Sequence, residues 1–326
     1  MKRLLLLLFL VIPIASLFSF NCALMITGEI GGNPIYEMMA KGAKEAAEEG
    51  DFNLKIVEGG YNPAKWEPTL ISLAATGQYD VVVTFTEGMP ESVEKAADMF
   101  PNQKFILIDG IAGKRENVFS LGFHDEQMAY LAGAFGALIT RGELAHANDA
   151  KKIALVAGDI YPAMTDRMKP AYEKAARDLD PETEVLFTVA GSWSDPTKGR
   201  DIAAALFSQG VDVIYSIAGG TSVGVINEAK KQGKYCIGVD SNIISFAPDT
   251  ILACTLKNAD MTIKQVLLKA SNGTLEYGKA ERWGVTEEAI GFTFDDPNYK
   301  QNVPSAIQER MREIFEQIKN GTIKIL

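Results

Sequence analysis

The sequence has few of the residues on which metal and redox chemistry depend. It contains three cysteines and two histidines in 326 residues, and no two cysteines have the C-x-x-C spacing of a zinc or dithiol site. Cys236 and Cys254 fall in predicted strands, where they could form a disulfide or lie apart as small buried residues. We therefore expect no metal site and no cofactor.

Positive charge is also scarce relative to negative charge. Lysine and arginine together number 32, aspartate and glutamate number 42, and the formal net charge is −10. Phosphate backbones and anionic membrane surfaces repel a protein of this charge. We expect no nucleic-acid partner.

A hydrophobic fraction of 47% fits neither a disordered chain nor a protein with many membrane spans. Residues 4–14 are apolar and follow a basic pair, a segment too short for a bilayer and typical of a secretory signal. We predict that residues 1–19 are a signal peptide and that the mature protein is exported to the periplasm or the outer face of the cytoplasmic membrane. Cys22 could carry a lipid, but it also opens the first predicted strand, and a buried strand cysteine is the favoured interpretation.

An internal repeat dominates the rest of the chain. Residues 22–30 recur at 153–160, and Asp109 and Asp240, which follow corresponding strands, are 131 residues apart. Strands are predicted near 22–27, 53–57, 79–84 and 104–108 in the first copy and near 152–156, 184–189, 211–216 and 234–239 in the second. Amphipathic helices alternate with them, the first at 34–49, as in βαβ units of a parallel sheet. The repeat predicts two α/β lobes with a cleft between them.

The last third of the chain does not repeat, so we expect its elements to complete both lobes. Lobe 1 is predicted at residues 20–121 plus about 256–284, and lobe 2 at 122–255 plus about 285–326. Three crossings would form the hinge: near 121–124, 253–257 and 283–290.

Open parallel sheets bind ligands at the carboxyl ends of their strands. Tyr36 and Trp193 lie next to such ends in opposite copies, where two rings could hold a flat heteroaromatic ligand, although packing is the default role of a lone aromatic. Asp240 could accept hydrogen bonds from vicinal hydroxyls beside Lys257; a structural salt bridge explains that pair equally well. Five more residues complete the predicted ligand-binding set: Asn33, Met89, Asp109, Phe123 and Gly219.

Two segments resemble catalytic or phosphate-binding motifs, but each lacks a residue that the motif needs. Residues 220–224 match the G-x-S-x-G elbow, yet both histidines precede Ser222, whereas that fold places its histidine after the serine. Residues 273–280 approach a P-loop but have alanine where a metal-binding hydroxyl is needed, and we interpret them as a turn. We also interpret the acidic segment 295–298 as a surface turn. No catalytic residues are predicted, and we expect no enzyme activity.

Residues 118–133, 191–198 and 217–225 together resemble the basic membrane protein (BMP) family, which includes purine-nucleoside receptor and riboflavin-binding lipoproteins of spirochaetes. The resemblance implies a type I periplasmic-binding-protein fold, two Rossmann-like lobes with parallel sheets and a three-crossing hinge. It also implies delivery of a small solute to an ABC permease and ATPase, with membrane contact only through a lipid anchor or the permease. By position, it implies that Trp193 stacks on a base and Asp240 accepts ribose hydroxyls, with Lys257 in the cleft.

The segment after the first strand departs from this pattern. Nucleoside receptors of the family carry D-K-S-F-N there, whereas residues 32–36 read G-N-P-I-Y and lack the acidic residue that would contact a purine edge. With segments 160–164 and 190–193 closer to the riboflavin-type branch, this favours riboflavin over a purine nucleoside. Two alternative functions stay open: a ligand-sensing receptor for a membrane signalling partner, and an exported nucleoside hydrolase.

Overall fold

The computed structural model describes residues 19–141 and 144–326. The predicted signal peptide, apart from its last position, lies outside the described residues. In the described part of the chain, every helix is too short or too polar to cross a membrane.

The first sheet, sheet A, is wholly parallel. Its strands are β1 (Asn21–Ile26), β2 (Asn53–Glu58), β3 (Val81–Phe85), β4 (Lys104–Ile108), β5 (Val118–Phe123) and β11 (Lys279–Trp283). They are ordered β11-β5-β4-β3-β1-β2. Strands β1, β3 and β5 are buried almost throughout, as expected for a parallel sheet covered on both faces.

The second sheet, sheet B, has the same arrangement. Its strands are β6 (Lys152–Ala157), β7 (Glu184–Val189), β8 (Val211–Ile217), β9 (Tyr235–Gly238), β10 (Ile251–Lys257) and β12 (Ile290–Phe292). They are ordered β12-β10-β9-β8-β6-β7, and only β12 is antiparallel to its neighbour. The two sheets are thus the structural form of the repeat, and each ends in an edge strand from the last third of the chain, β11 in sheet A and β12 in sheet B.

Ten α-helices surround the described parts of the two sheets. They are α1 (Pro34–Glu49), α2 (Trp66–Ala75), α3 (Pro90–Met99), α4 (Asp125–Ile139), α5 (Lys169–Leu179), α6 (Pro196–Ser208), α7 (Thr221–Gln232), α8 (Ala259–Ser271), α9 (Pro297–Asn302) and α10 (Ser305–Lys319). A π-helical turn, Met164–Met168, leads into α5.

Two helices cross from one sheet to the other. Helix α4 follows β5 of sheet A but packs on α5, and α8 follows β10 of sheet B but packs on α1. Glycine allows both close approaches, since a Cβ at Gly133 in α4 would clash with the Tyr172 carbonyl oxygen, and one at Gly42 in α1 with that of Asp260. The chain therefore passes between the sheets next to the carboxyl ends of β5 and β10.

Three elements differ from the sequence predictions. Strands β5 and β11 were not predicted, and Lys279 and Ala280 of the P-loop-like segment belong to β11 rather than to a turn. The acidic segment predicted as a surface turn begins helix α9, because the Asp296 carboxylate accepts hydrogen bonds from the amides of Asn298 (2.8 Å) and Tyr299 (3.1 Å).

All three cysteines are buried free thiols. Cys22 lies within β1 with no exposed surface, which matches its interpretation as a strand residue. Cys254 of β10 lies opposite Gly238, and Cys236 of β9 lies opposite Ile251, so their side chains are offset along the strands. Burial raises the pKa of Cys236 and of Cys254 to about 12, which keeps both thiols protonated.

Candidate ligand-binding cleft

Residues with left-handed backbone conformation follow corresponding strands of both sheets. Asp109 after β4 and Asp240 after β9 have φ of 58° and 65°. Thr86 after β3 and Gly219 after β8 have φ of 100° and 54°. Residues other than glycine adopt this conformation rarely, and such residues concentrate at functional sites. The carboxyl ends of the two sheets are therefore the candidate site.

Lys257, at the end of β10, joins the two sheets by an ion pair. Its Nζ lies 3.1 Å from Asp109 Oδ1 of sheet A and 2.9 Å from Asp125 Oδ1 at the start of α4. The amine also lies 5.0 Å above the centroid of the buried Phe123 ring, and the Lys257 amide donates to the Asp240 carbonyl oxygen at 2.9 Å. Burial opposes the charge, but the three surrounding aspartates raise the pKa of Lys257 well above its ordinary value. Lys257 and Asp240 are thus joined by a backbone hydrogen bond, whereas the salt bridges of Lys257 are with Asp109 and Asp125 and not with the Asp240 carboxylate.

Arg167, in the π-helical turn before α5, forms a second bridge between the sheets. Its guanidinium lies 2.8 Å from Glu87 Oε1, which follows β3 of sheet A. It also lies 3.2 Å from carboxylate oxygens of Asp125 and Glu126, and it donates to the Phe123 carbonyl oxygen at 3.1 Å. Sequence reasoning selected neither Arg167 nor Glu87.

Carboxylates outnumber cations in this cluster. The carboxylates around Lys257 and Arg167 are those of Glu87, Asp109, Asp125, Glu126 and Asp240. Burial and the charges of Asp109 and Asp125 raise the pKa of Glu87 to about 7, against the opposing effect of both cations. Burial also raises the pKa of Asp240 to about 6. A site of this charge favours a ligand that brings hydrogen-bond donors.

Each lobe presents a pair of aromatic rings, and one ring of each pair, Tyr36 or Tyr161, lies close enough to these carboxylates that burial and, to a lesser extent, their charge raise the pKa of its hydroxyl. Tyr36 lies 6.5 Å from Tyr61 and meets Phe85 edge to face at 5.9 Å, measured between ring centroids. Trp193 is 45% exposed and lies 6.0 Å from Tyr161. Sequence reasoning selected one ring of each pair and missed the other, Tyr61 and Tyr161, which lie just beyond the ends of β2 and β6.

The remaining predicted residues differ in their surroundings. Asn33 is a half-buried N-cap of α1 whose side chain makes no capping hydrogen bond. Gly219 lies against the backbone of Trp193, since a Cβ there would be 2.8 Å from the Trp193 carbonyl oxygen. Met89 is fully buried in the apolar cluster under α2 and α3, so its side chain is not brought to the charged group. The ligand contacts of all nine predicted residues stay predictions.

The serine of the elbow-like motif is engaged in local hydrogen bonds. Ser222 Oγ lies 2.8 Å from Ser216 Oγ and accepts from the Ala218 amide at 3.3 Å. His124 instead pairs with Glu126, with 2.6 Å between Nδ1 and Oε1. Within residues 19–141 and 144–326, no group of three His, Cys, Asp or Glu side chains is arranged to hold a metal ion.

Two α/β sheets of matching topology whose carboxyl ends meet at a cluster of charged side chains have the architecture of bilobed solute-binding proteins. A solved ABC-transporter solute-binding protein from Aeropyrum pernix K1 shares this fold, with a TM-score of 0.81 and 24% identity over 94% of this chain and 92% of that one. The predicted fold class is confirmed.

The chain belongs to the Bmp family, described as ABC transporter substrate-binding protein PnrA-like, which it matches over residues 20–324. It is similar to the ABC transporter nucleoside-binding protein BmpA of Lactococcus lactis (26% identity, covering 73% of this chain and 68% of that protein). It is also similar to an uncharacterised lipoprotein of Pyrococcus furiosus (28% identity, 79% and 73%). The protein is therefore a substrate-binding component of an ABC transporter that acts outside the cytoplasm, and its partners are a small molecule and the transporter's permease and ATPase.

Proposed function

We propose that the protein binds a heteroaromatic ring joined to a hydroxylated chain, a nucleoside or a riboflavin-like molecule, and delivers it to the importer. The observation that carries this proposal is that both lobes present an aromatic pair and partly buried carboxylates at the carboxyl-end edge of their sheets. Aromatic rings provide a stacking surface for a flat base, and carboxylates accept hydrogen bonds from sugar hydroxyls.

We place a nucleoside first. The Lactococcus lactis relative is named for nucleoside binding. The acidic residue missing after the first strand argued for riboflavin, but Glu87 and Asp109 supply carboxylates from neighbouring strand ends of the same sheet. A base edge with N–H donors would therefore still find acceptors on lobe 1. The preference for riboflavin stays a prediction.

Individual roles follow from position. Trp193, nearly half exposed, would stack on the ring, and Tyr36 would support the opposite side. Asp240 would accept hydrogen bonds from hydroxyls of the sugar or ribityl chain. The positive charge of Lys257 would favour the ionised forms of Asp109 and Asp240 and so offset part of the effect of burial on their pKa values. None of these roles includes a bond-breaking step, so the protein would act by binding alone.

Closure of the lobes would couple binding to transport. The proposed lobes keep the predicted boundaries, with most of sheet A in lobe 1 and most of sheet B in lobe 2. The pair Arg167–Glu87 joins residues of opposite lobes, and the pair Lys257–Asp109 joins the end of sheet B to sheet A at the predicted crossing near 253–257. Both pairs would stabilise the closed form that the permease recognises. We also propose that residues 1–19 are removed as a signal peptide and that Cys22 remains a core residue of β1.

Calorimetric titration tests the proposal. The protein is unfolded, freed of any bound small molecule, refolded, and titrated with inosine, guanosine, riboflavin and ribose. Binding of a nucleoside or riboflavin, with no measurable binding of ribose, is the expected result, because ribose lacks the stacking ring. Binding of ribose alone, or of none of the four, would contradict it.

A further inference from the structure

We propose that Tyr61 is a ligand-contacting and specificity-determining residue whose ring serves lobe 1 as Trp193 serves lobe 2. The inference rests on the proposed function and adds a residue that sequence reasoning did not select. Its basis is the position of Tyr61 in the repeat, the glycine beneath it and its exposure.

Tyr61 and Trp193 occupy corresponding positions in the two lobes. Tyr61 follows β2 and Trp193 follows β7, and these strands take the same edge position in their sheets. The residues before the two aromatics make the same hydrogen bond, because the Gly60 amide donates to the Gly28 carbonyl oxygen (3.2 Å) and the Ser192 amide to that of Gly158 (2.9 Å).

A glycine lies beneath each ring. A Cβ at Gly28 would be 2.9 Å from Tyr61 Cε1 and would also clash with the ring of Tyr36. A Cβ at Gly158 would be 2.6 Å from Trp193 Cε3. Neither ring could lie against the backbone in this way if a residue with a side chain replaced Gly28 or Gly158.

Tyr61, rather than Tyr36, has the free face on lobe 1. Tyr61 is 59% exposed. Tyr36 is half-buried, with its ring against Phe85, and burial raises the pKa of its hydroxyl. Tyr36 is thus placed to support Tyr61 from behind.

The exposed ring is held by an anchored loop. Trp66 Nε1 donates to the Gly60 carbonyl oxygen at 2.7 Å, and the Tyr61 hydroxyl donates to the Glu29 carbonyl oxygen at 3.4 Å. The Asn62 side chain accepts from the Ala64 amide at 3.1 Å. A rigid aromatic side chain with an exposed face loses little conformational entropy on binding, which is why such residues often dominate recognition. The ligand that Tyr61 contacts is a planar ring system that both lobes contact.

The test compares Tyr61→Ala, Tyr61→Phe and Trp193→Ala by calorimetric titration with inosine and riboflavin. Phe246→Ala is the matched control, because Phe246 is a 75% exposed aromatic in the turn before β10. We expect Tyr61→Ala and Trp193→Ala each to weaken binding by at least about fivefold, the lower end of the range for base stacking. Tyr61→Phe should stay within about threefold of the wild type, since stacking needs the ring and not the hydroxyl, and Phe246→Ala should bind as the wild type does.

Two outcomes would overturn the inference, and they are distinguishable. If the wild type binds inosine or riboflavin, Trp193→Ala weakens binding and Tyr61→Ala does not, Tyr61 has no contact with the ligand and the proposed function survives. If the wild type binds neither compound, the proposed function fails and the role of Tyr61 fails with it. Thermal unfolding of each variant identifies a loss of binding that comes from misfolding.

Discussion

Asp240 and Glu87 hold their protons at higher pH than ordinary carboxylates. Both are partly buried beside other carboxylates, and the cations Lys257 and Arg167 offset this only in part. Burial disfavours the ionised form because the protein solvates charge less well than water does. With pKa values of about 7 for Glu87 and about 6 for Asp240, both groups change their ionisation near neutral pH, where the effects can be measured.

Ligand affinity is expected to fall as the pH is lowered through about 6, where Asp240 takes up a proton. A protonated carboxyl accepts fewer hydrogen bonds from hydroxyls, so the association constant should decrease by up to about tenfold per pH unit. Asp240→Asn should weaken binding at pH 7.5 and flatten this part of the pH profile, as measured by calorimetry between pH 5 and 8. Asp249→Asn, at an exposed turn, is the control. An unchanged profile in Asp240→Asn would show that another group is responsible.

The raised pKa of Glu87 predicts that the stability of the protein depends on pH. Its pKa rises from an ordinary value of 4.5 to about 7 on folding, mainly through burial. Between these values the folded state binds more protons than the unfolded state, so the free energy of unfolding decreases as the pH rises. Glu87→Gln removes this titration. The free energy of unfolding of the variant, relative to the wild type, should therefore increase from pH 5 to pH 8 in urea titrations. A relative change in the opposite direction would mean that the ion pair with Arg167 determines the ionisation of Glu87.

Among the helices and strands, the sequence predicts the ones whose residues show a clear hydrophobic or capping pattern. Helix α1 matches its predicted bounds because Pro34 occupies its first turn and a stripe of small residues lies buried along it. Strand β11, K-A-E-R-W, lacks β-branched residues and pairs only with β5, so backbone hydrogen bonds define it more than its composition does. Helix α9 was missed although Asp296 before Pro297 is a helix-start signal.

The residues of the candidate site also divide into some that the sequence predicts and some that only the folded structure reveals. Asp109, Asp240 and Trp193 could be selected because they follow strands of a parallel sheet. The contacts of Arg167 could not, because they bring together residues 80 and 42 positions away in the chain, and only the folded structure sets such distances.

The close contact between α4 and α5 gives a prediction about helix packing. Alanine normally stabilises a helix by about 1 kcal/mol relative to glycine. Gly133→Ala should nevertheless destabilise the protein by about 1–3 kcal/mol, because its Cβ would force the two helices apart at a backbone atom.

Gly136→Ala in the same helix is the matched control for Gly133→Ala. Its nearest contact is the end of a side chain, Ile153 Cδ1 at 3.2 Å, which can move. The free energy of unfolding from urea titration should therefore fall clearly less for Gly136→Ala. Equal losses for the two variants would contradict the packing argument.

In the whole molecule, two helices that cross between the sheets and a set of ion pairs link sheet A to sheet B. Helices α4 and α8 each leave one sheet to pack on a helix of the other copy of the repeat. Arg167 and Lys257 both contact Asp125 at the start of α4, so the bridges between sheets converge on a segment where the chain crosses. Closure of the lobes and ordering of this segment should therefore occur together.

Arg167→Met tests the bridge from lobe 2. Removing the guanidinium leaves Glu87, Asp125 and Glu126 without this partner, so the closed form should lose stability relative to the open one. Ligand affinity should fall by about tenfold or more, because less of the protein occupies the closed state. Small-angle scattering should give a larger radius of gyration for the variant at equal ligand concentration. Arg200→Met, whose guanidinium pairs with Asp201 on the surface of α6, should leave both measurements unchanged. If Arg167→Met also leaves both unchanged, Arg167 does not stabilise closure.

The most direct test of the central claim is mass spectrometry of the small molecule that the protein carries or takes up. The protein is purified without added ligand, and its native mass is compared before and after unfolding, with the refolded protein then exposed to an equimolar mixture of nucleosides, riboflavin, sugars and amino acids. Our account predicts one bound molecule per chain with the mass of a nucleoside or a flavin, and a reduced share of bound protein in Trp193→Ala. Stoichiometric binding of a sugar or an amino acid without an aromatic ring, equally strong in Trp193→Ala, would contradict it.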